Sequence, residues 1–303
     1  MTKILGISGI VFLIIFSALS ASCALAQNKI AIISLNGPVQ YESSSFLLGG
    51  SAITPEEVRN ELYKAKDDVG VKAVVIQINS PGGSVAASQE IASQMEQLNK
   101  PIVISMSDLA ASGGYYISAG ADKIVALPGT LTGSIGVISE MPDLKGLFDK
   151  LGINMQVYIS GKHKDMYAGY RELTPEEGQI VQDMTDQLYT QFIQVVAKGR
   201  NLSEDKVREL ATGQLYTGIQ AKELGLVDEL GGLQTAIDAA AALAGISNPQ
   251  VEYYKPQVPS LLNSLLGMGW QKLSNLVQPM SLRAEDIILL ETLTNTYPQP
   301  EYR

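Results

Sequence analysis

The sequence predicts an α/β domain built on a mostly parallel sheet, with a helical extension after it. Short runs rich in β-branched residues, KIAIISL, VKAVVIQI and PIVISMS, recur between segments whose apolar positions have helical spacing. The second run is apolar at nearly every position, the pattern of a strand covered on both faces. Thr54-Pro55-Glu56-Glu57 and Thr174-Pro175-Glu176-Glu177 each supply an N-cap, a proline at the first helical position and a capping-box glutamate. These mark two helix starts.

The first 26 residues (1–26) carry one charge, Lys3, then an apolar run over 4–19 and the small stretch Ser20-Ala21-Ser22-Cys23-Ala24-Leu25-Ala26. That is the layout of a secretory signal, so an exported protein is expected, with its active domain on the extracytoplasmic side of the cell membrane. Ala24-Leu25-Ala26 offers a cut before Gln27. Left uncut, the same segment would be a membrane anchor, and the residues leave the two forms open. If Cys23 goes with the leader, the mature chain has no thiol and no disulfide.

The main domain is expected over 27–245. A strand over 29–35 is followed by a helix from 55 to about 67 and a strand over 71–78 that stops at Gly82-Gly83. A helix over 84–98 places Val85, Ile91, Met95 and Leu98 at helical spacing, and a strand over 101–107 then leads toward Ser112. The stretch 113–119 lacks strand character and opens a helix. A strand over 123–127, a glycine-broken stretch over 129–136 and a short helix over 143–151 ending at Gly152 come next. Residues 154–159 alternate and lead into a loop with Lys164. The second capping box opens a long helix to about 198, with Gly199 as its stop. Helices over 204–211, 219–224 and 233–244, with a short piece at Leu215-Tyr216, complete the unit. The tail, 246–303, is rich in proline and carries an amphipathic stretch over 262–277, expected to meet a neighbouring protomer or a bilayer.

A formal net charge of −9 argues against nucleic acid as a partner. The chain has one histidine, His163, and one cysteine, Cys23. Histidine triads, cysteine catalysis and His/Cys metal sites are nearly excluded by that count, and no metal or cofactor is expected.

Ser112 lies among small residues, Ala110-Ala111-Ser112-Gly113-Gly114, which leave its hydroxyl uncovered. At a strand-to-helix junction the first N–H groups of the helix have no internal partner and can face a developing oxyanion. Taken alone, such a serine more often reflects tight backbone packing. Gly82-Gly83 reads either as a turn needing positive φ or as a close approach to a substrate carbonyl. A serine hydroxyl needs a base, and Ser160-Gly161-Lys162-His163-Lys164-Asp165 offers three candidates. In an extended loop Lys162 and Lys164 face the same way, so geometry does not separate them. Thr132 and Ser134 flank Gly133 and serve either turn chemistry or the orientation of a lysine ammonium. Tyr115 and Tyr116 are expected to pack.

Four stretches together carry more than any one. Ile78-Asn79-Ser80-Pro81-Gly82-Gly83, Ala110-Ala111-Ser112-Gly113-Gly114-Tyr115-Tyr116, Leu131-Thr132-Gly133-Ser134-Ile135-Gly136-Val137 and Ser160-Gly161-Lys162-His163-Lys164-Asp165 resemble, in order and spacing, the blocks of the short-form signal peptide peptidases, Ser/Lys peptidases of family S49. The resemblance runs roughly over 29–245, without the tandem duplication of the long form. It implies a ClpP/crotonase-like fold of repeated ββα units, Ser112 as nucleophile and Lys164 as general base. It also implies an oxyanion hole from Gly113 with Gly82 and Gly83, leaving open which of the latter donates. The implied activity is a membrane-associated serine endopeptidase that degrades signal peptides and other short apolar peptides after secretion. The implied assembly is a homo-oligomer, with an octamer as one form, in which serine and lysine of adjacent protomers can meet. A crotonase-like acyl-CoA enzyme and a catalytically silent membrane scaffold are the competing classes.

Overall fold

The computed structural model describes residues 28–42 and 52–254; the leader and almost all of the proline-rich tail lie outside them. Strand β1 (Lys29–Asn36) pairs in parallel with β2 (Val71–Ser80) and, on its other edge, with β8 (Gln250–Tyr254). β2 pairs with β3 (Ile102–Ala111), which runs on to pair with both β4 (Lys123–Ala126) and β5 (Leu131–Gly133). β4 pairs with β7 (Glu229–Leu230), and β5 pairs antiparallel with β6 (Leu215–Thr217). The other pairings among the described strands are parallel, as the apolar runs imply.

The two-residue period of β1 decides which layer each side chain enters. Ala31 and Ile33 join a large core with Val58 and Leu62 of α1 (Pro55–Asp67), Ile91 of α2 (Val85–Glu96) and Tyr115 and Ile117 of α3 (Gly113–Ala119). Ile30 and Ile32 point the other way, onto Ala236, Ile237 and Ala240. The short helix α4 (Lys145–Leu151) buries no residue and ends at Gly152, whose φ of 69° is the left-handed cap expected there. The long α5 (Pro175–Arg200) packs Phe192, Ile193 and Val196 into the large core, joined by Val207 of α6 (Glu204–Leu210) and Ala221 of α7 (Gly218–Glu223). α8 (Leu233–Leu243) covers the opposite face.

Four details differ from the sequence reading. α5 passes through Gly199 and stops at Asn201, which is left-handed at φ 52°. Gly199 is there for close packing: a Cβ on it would stand 2.1 Å from the carbonyl oxygen of Ala119, at the end of α3. β3 continues past Ser107 to Ala111 because β5 pairs with it and Leu109 donates its N–H to Asn79 Oδ1 at 3.1 Å. Residues 154–159 alternate in sequence yet form no strand, and among the described residues no strand pairs with them. β8 lies beyond the composition change at Asn248, and its register with β1 comes from a distant element that local pattern does not reveal. Among the described residues no helix is long and apolar enough to cross a membrane.

Candidate active site

Ser112 follows directly on β3, and its hydroxyl makes no cap bond to the helix that starts after it. Its backbone stands at φ 51°, ψ −120°, a region serine rarely adopts and which costs on the order of 1–3 kcal/mol. Surrounding bonds enforce it. The Ser112 N–H donates to Gly133 O at 2.9 Å, and the Ser112 carbonyl accepts from Tyr116 N at 2.8 Å. The turn leaves Ser112 half-buried.

The glycine pair after β2 closes on this turn. Gly82 has φ 96°, and a Cβ there would stand 2.5 Å from Gly113 N and 2.8 Å from Ser112 Cβ. Gly83, at φ 147°, lies against Val39, whose N–H donates to Gly82 O and whose carbonyl accepts from Ser84 N, both at 2.8 Å. A Cβ on Gly113 would come within 3.2 Å of Gly83 N, so the amides of Gly83 and Gly113 are neighbours. The Gly82 N–H is already donated to the buried Ser80 Oγ at 3.1 Å. Of the three glycines, Gly83 and Gly113 are thus the pair whose amides lie together beside Ser112.

Thr132 is fully buried and donates its hydroxyl to Ala110 O at 2.7 Å, bracing β3 two residues before Ser112. Ser134 is half-buried with φ 48°, its N–H donated to Gln214 O. Tyr115 is buried and donates to Leu226 O at 2.9 Å, and burial pushes its phenol up. Tyr116 meets Phe192 of α5 with ring centroids 5.1 Å apart. Both tyrosines pack, as expected.

Lys164 lies on a run of turns, exposed, with its N–H donated to Gly161 O at 3.1 Å. Among the bonds of the described residues, none joins it to Ser112. Its two competitors are engaged: Lys162 pairs with Glu176, and His163 sits 3.3 Å from Glu177 Oε1 and 3.5 Å from Glu176 Oε1. Arg171 bonds both Asp165 and Glu177, a pairing that sequence reading missed although two acidic residues stand six positions on either side of it. The guanidinium holds both carboxyls well below the usual carboxylate range; Tyr170 reinforces this at Asp165 and the Thr174 N–H at Glu177. Upstream of this loop, Ile138, Leu147, Leu151, Ile153, Met155, Val157 and Tyr158 are exposed.

A serine in a strained strand-to-helix turn, with two glycine amides beside it, is an arrangement that serine hydrolases use to attack a carbonyl and hold the resulting oxyanion. Comparison with known proteins narrows this. A family model described as Peptidase family S49 matches residues 94–247, and one described as Clp protease matches 53–132. The chain is 39% identical over 254 residues to a putative signal peptide peptidase SppA of Enterococcus faecium, covering 82% of this chain and 74% of that one. It is 41% identical over 247 residues to a putative protease of Synechocystis, covering 80% and 89%. Protease 4 of Haemophilus influenzae is 36% identical over 249 residues, 79% of this chain and 40% of its own length. Among solved structures, the membrane-bound stomatin-specific protease 1510-N, in a lysine-to-alanine variant with a substrate peptide, matches with a TM-score of 0.54. That match covers 80% of this chain and 99% of the other at 18% identity, and it shows a shared fold. The chain belongs to peptidase family S49 and is a serine peptidase.

Proposed function

We propose that this peptidase works through a Ser112/Lys164 dyad on signal peptides and other short apolar peptides at the outer face of the cell membrane. The observation that carries the reading is the turn at Ser112, with its positive φ and the Gly83 and Gly113 amides alongside. In this mechanism Ser112 Oγ attacks the scissile carbonyl as neutral Lys164 Nζ takes its proton. The two glycine N–H groups hold the oxyanion. Collapse of the tetrahedral intermediate returns the proton to the leaving amine, and water then hydrolyses the acyl-serine by the reverse sequence. Thr132 braces β3 beneath Ser112, and Ser134 orients the incoming lysine.

Lys164 sits on an exposed, apolar arm, so the dyad is assigned to two neighbouring protomers of a homo-oligomer, with an octamer as one form. Exposed apolar side chains over 138–159, and a helix that buries nothing, support an arm that is covered only on assembly. The leader (1–26) and the part of the tail beyond β8 (255–303) are proposed to supply membrane attachment; residues 250–254, expected in the tail, belong to the sheet as β8. Hydrolysis of a synthetic signal peptide by wild type, Ser112→Ala and Lys164→Ala tests the reading. Each variant should be inactive, and mixing the two under conditions of subunit exchange should restore activity, because one hybrid site then holds both groups. Activity in either variant alone would reject the dyad. Inactivity of the mixture with confirmed exchange would reject the shared site.

A further inference from the structure

A base on a flexible lysine stem works only if its loop is held, and the residues on either side of Lys164 are both fastened to one place. His163 faces Glu176 and Glu177 in the first turn of α5. Asp165 meets that turn through Arg171. The Arg171 guanidinium uses all five of its N–H donors. Nε goes to Asp165 Oδ2 at 2.9 Å and Nη2 to Asp165 Oδ1 at 2.6 Å. Nη2 also reaches Glu177 Oε1 at 2.8 Å, while Nη1 serves Glu177 Oε2 at 2.8 Å and Glu172 O at 3.0 Å. Tyr170 adds a 2.6 Å bond to Asp165 Oδ2, and Glu177, 2% exposed, also accepts from Thr174 N in the capping box. Two bidentate forks fix both distance and angle, which a lysine's point charge cannot do. The helix that carries the anchor is itself seated on the core: α5 packs Phe192 on Tyr116 and Gly199 on Ala119.

We propose that Arg171, clamped between Asp165 and Glu177, is a positioning residue that sets where Lys164 presents its amine. The clamp touches no reacting atom and acts through Lys164; it therefore rests on the reading of Lys164 as the base.

The test compares the full chain as wild type, Arg171→Ala, Arg171→Lys, Lys164→Ala and the Lys164→Ala/Arg171→Ala double variant. It measures kcat and KM on an apolar peptide, the rate of fluorophosphonate labelling at Ser112, and Tm. Arg171→Ala should lower kcat about 10- to 100-fold with KM within about twofold, the cost of misplacing a catalytic group by an ångström or so. Arg171→Lys should lose most of the same activity, and it carries the comparison if Arg171→Ala does not fold. In the Lys164→Ala background, removing Arg171 should slow labelling no further, because there is no base left to place. Full kcat in folded Arg171→Lys, or an additive loss in the double variant, would overturn the clamp while leaving the base assignment intact. Wild-type activity in Lys164→Ala would instead overturn the base assignment.

Discussion

Ser112 donates its backbone N–H to the carbonyl of Gly133 at 2.9 Å, and that bond ties the nucleophile turn to the segment bearing Thr132 and Ser134. It holds Ser112 at φ 51°, where a Cβ is unfavourable. Glycine adopts this conformation freely, whereas alanine, like serine, is strained in it. Ser112→Gly and Ser112→Ala should both be inactive, yet urea unfolding should show the glycine variant more stable than the alanine variant by about 1 kcal/mol. Equal stabilities would mean that the turn is unstrained.

The glycines beside Ser112 give a second prediction. A Cβ on Gly113 would meet Ser88 Oγ at 2.5 Å and crowd the Gly83 amide. A hydroxyl can rotate or shift, so Gly113→Ala should fold. Displacing the two amides should lower kcat by about 10²–10³-fold, the loss typical of one missing oxyanion donor. Gly83→Ala faces the backbone oxygen of Val39 at 2.2 Å with φ 147° and should destabilise the protein as well. Peptide-hydrolysis kinetics paired with thermal unfolding separate the two outcomes.

Tyr115→Phe is expected to cost stability without touching the chemistry. Its hydroxyl satisfies the Leu226 carbonyl in a fully buried position, and removing it leaves that acceptor without its partner, a loss of about 1–3 kcal/mol. Urea denaturation should show that loss, with kcat retained.

The clamp also gives a pH dependence. Asp165 and Glu177 titrate below the ordinary carboxylate range because Arg171 favours their charged forms. Their stabilising contribution is therefore complete above the unfolded-state values near ~4 and is lost as pH falls through the lower folded-state values. The Tm difference between wild type and Arg171→Ala should be constant from about pH 6 to 8 and narrow steadily below about pH 4. A difference that widened in acid would contradict the assigned direction.

Much of the fold was legible because periodicity and caps are local. The apolar run of β2, the two Thr-Pro-Glu-Glu helix starts and Gly152 each state an element or its end within a few residues; Thr174 completes the reciprocal box with Glu177, while Thr54 caps its helix by accepting the Glu57 N–H. β8 and the end of β3 were not, since each depends on a partner strand far away in sequence. Gly199 misled because a glycine in a helix reads as a stop, whereas here it is required by a neighbouring carbonyl. At the site, Ser112 and the glycine pairs stood out by composition. That Gly82 rather than Gly83 has its amide bonded to Ser80 depends on how the turn folds, and the clamp at Arg171 depends on three side chains converging from a loop and a helix.

The dyad is tested most directly by labelling the full chain with a fluorophosphonate and locating the adduct by mass spectrometry. Wild type should carry one adduct, on Ser112, formed faster as pH rises, because only an unprotonated lysine amine can accept the serine proton. Lys164→Ala should label Ser112 at least about 100-fold more slowly, whereas Lys162→Ala should label at nearly the wild-type rate and His163→Gln should lose only the few-fold expected of a slackened loop. An adduct on another serine, or Ser112 labelling that survives loss of Lys164 but not of His163, would contradict the account.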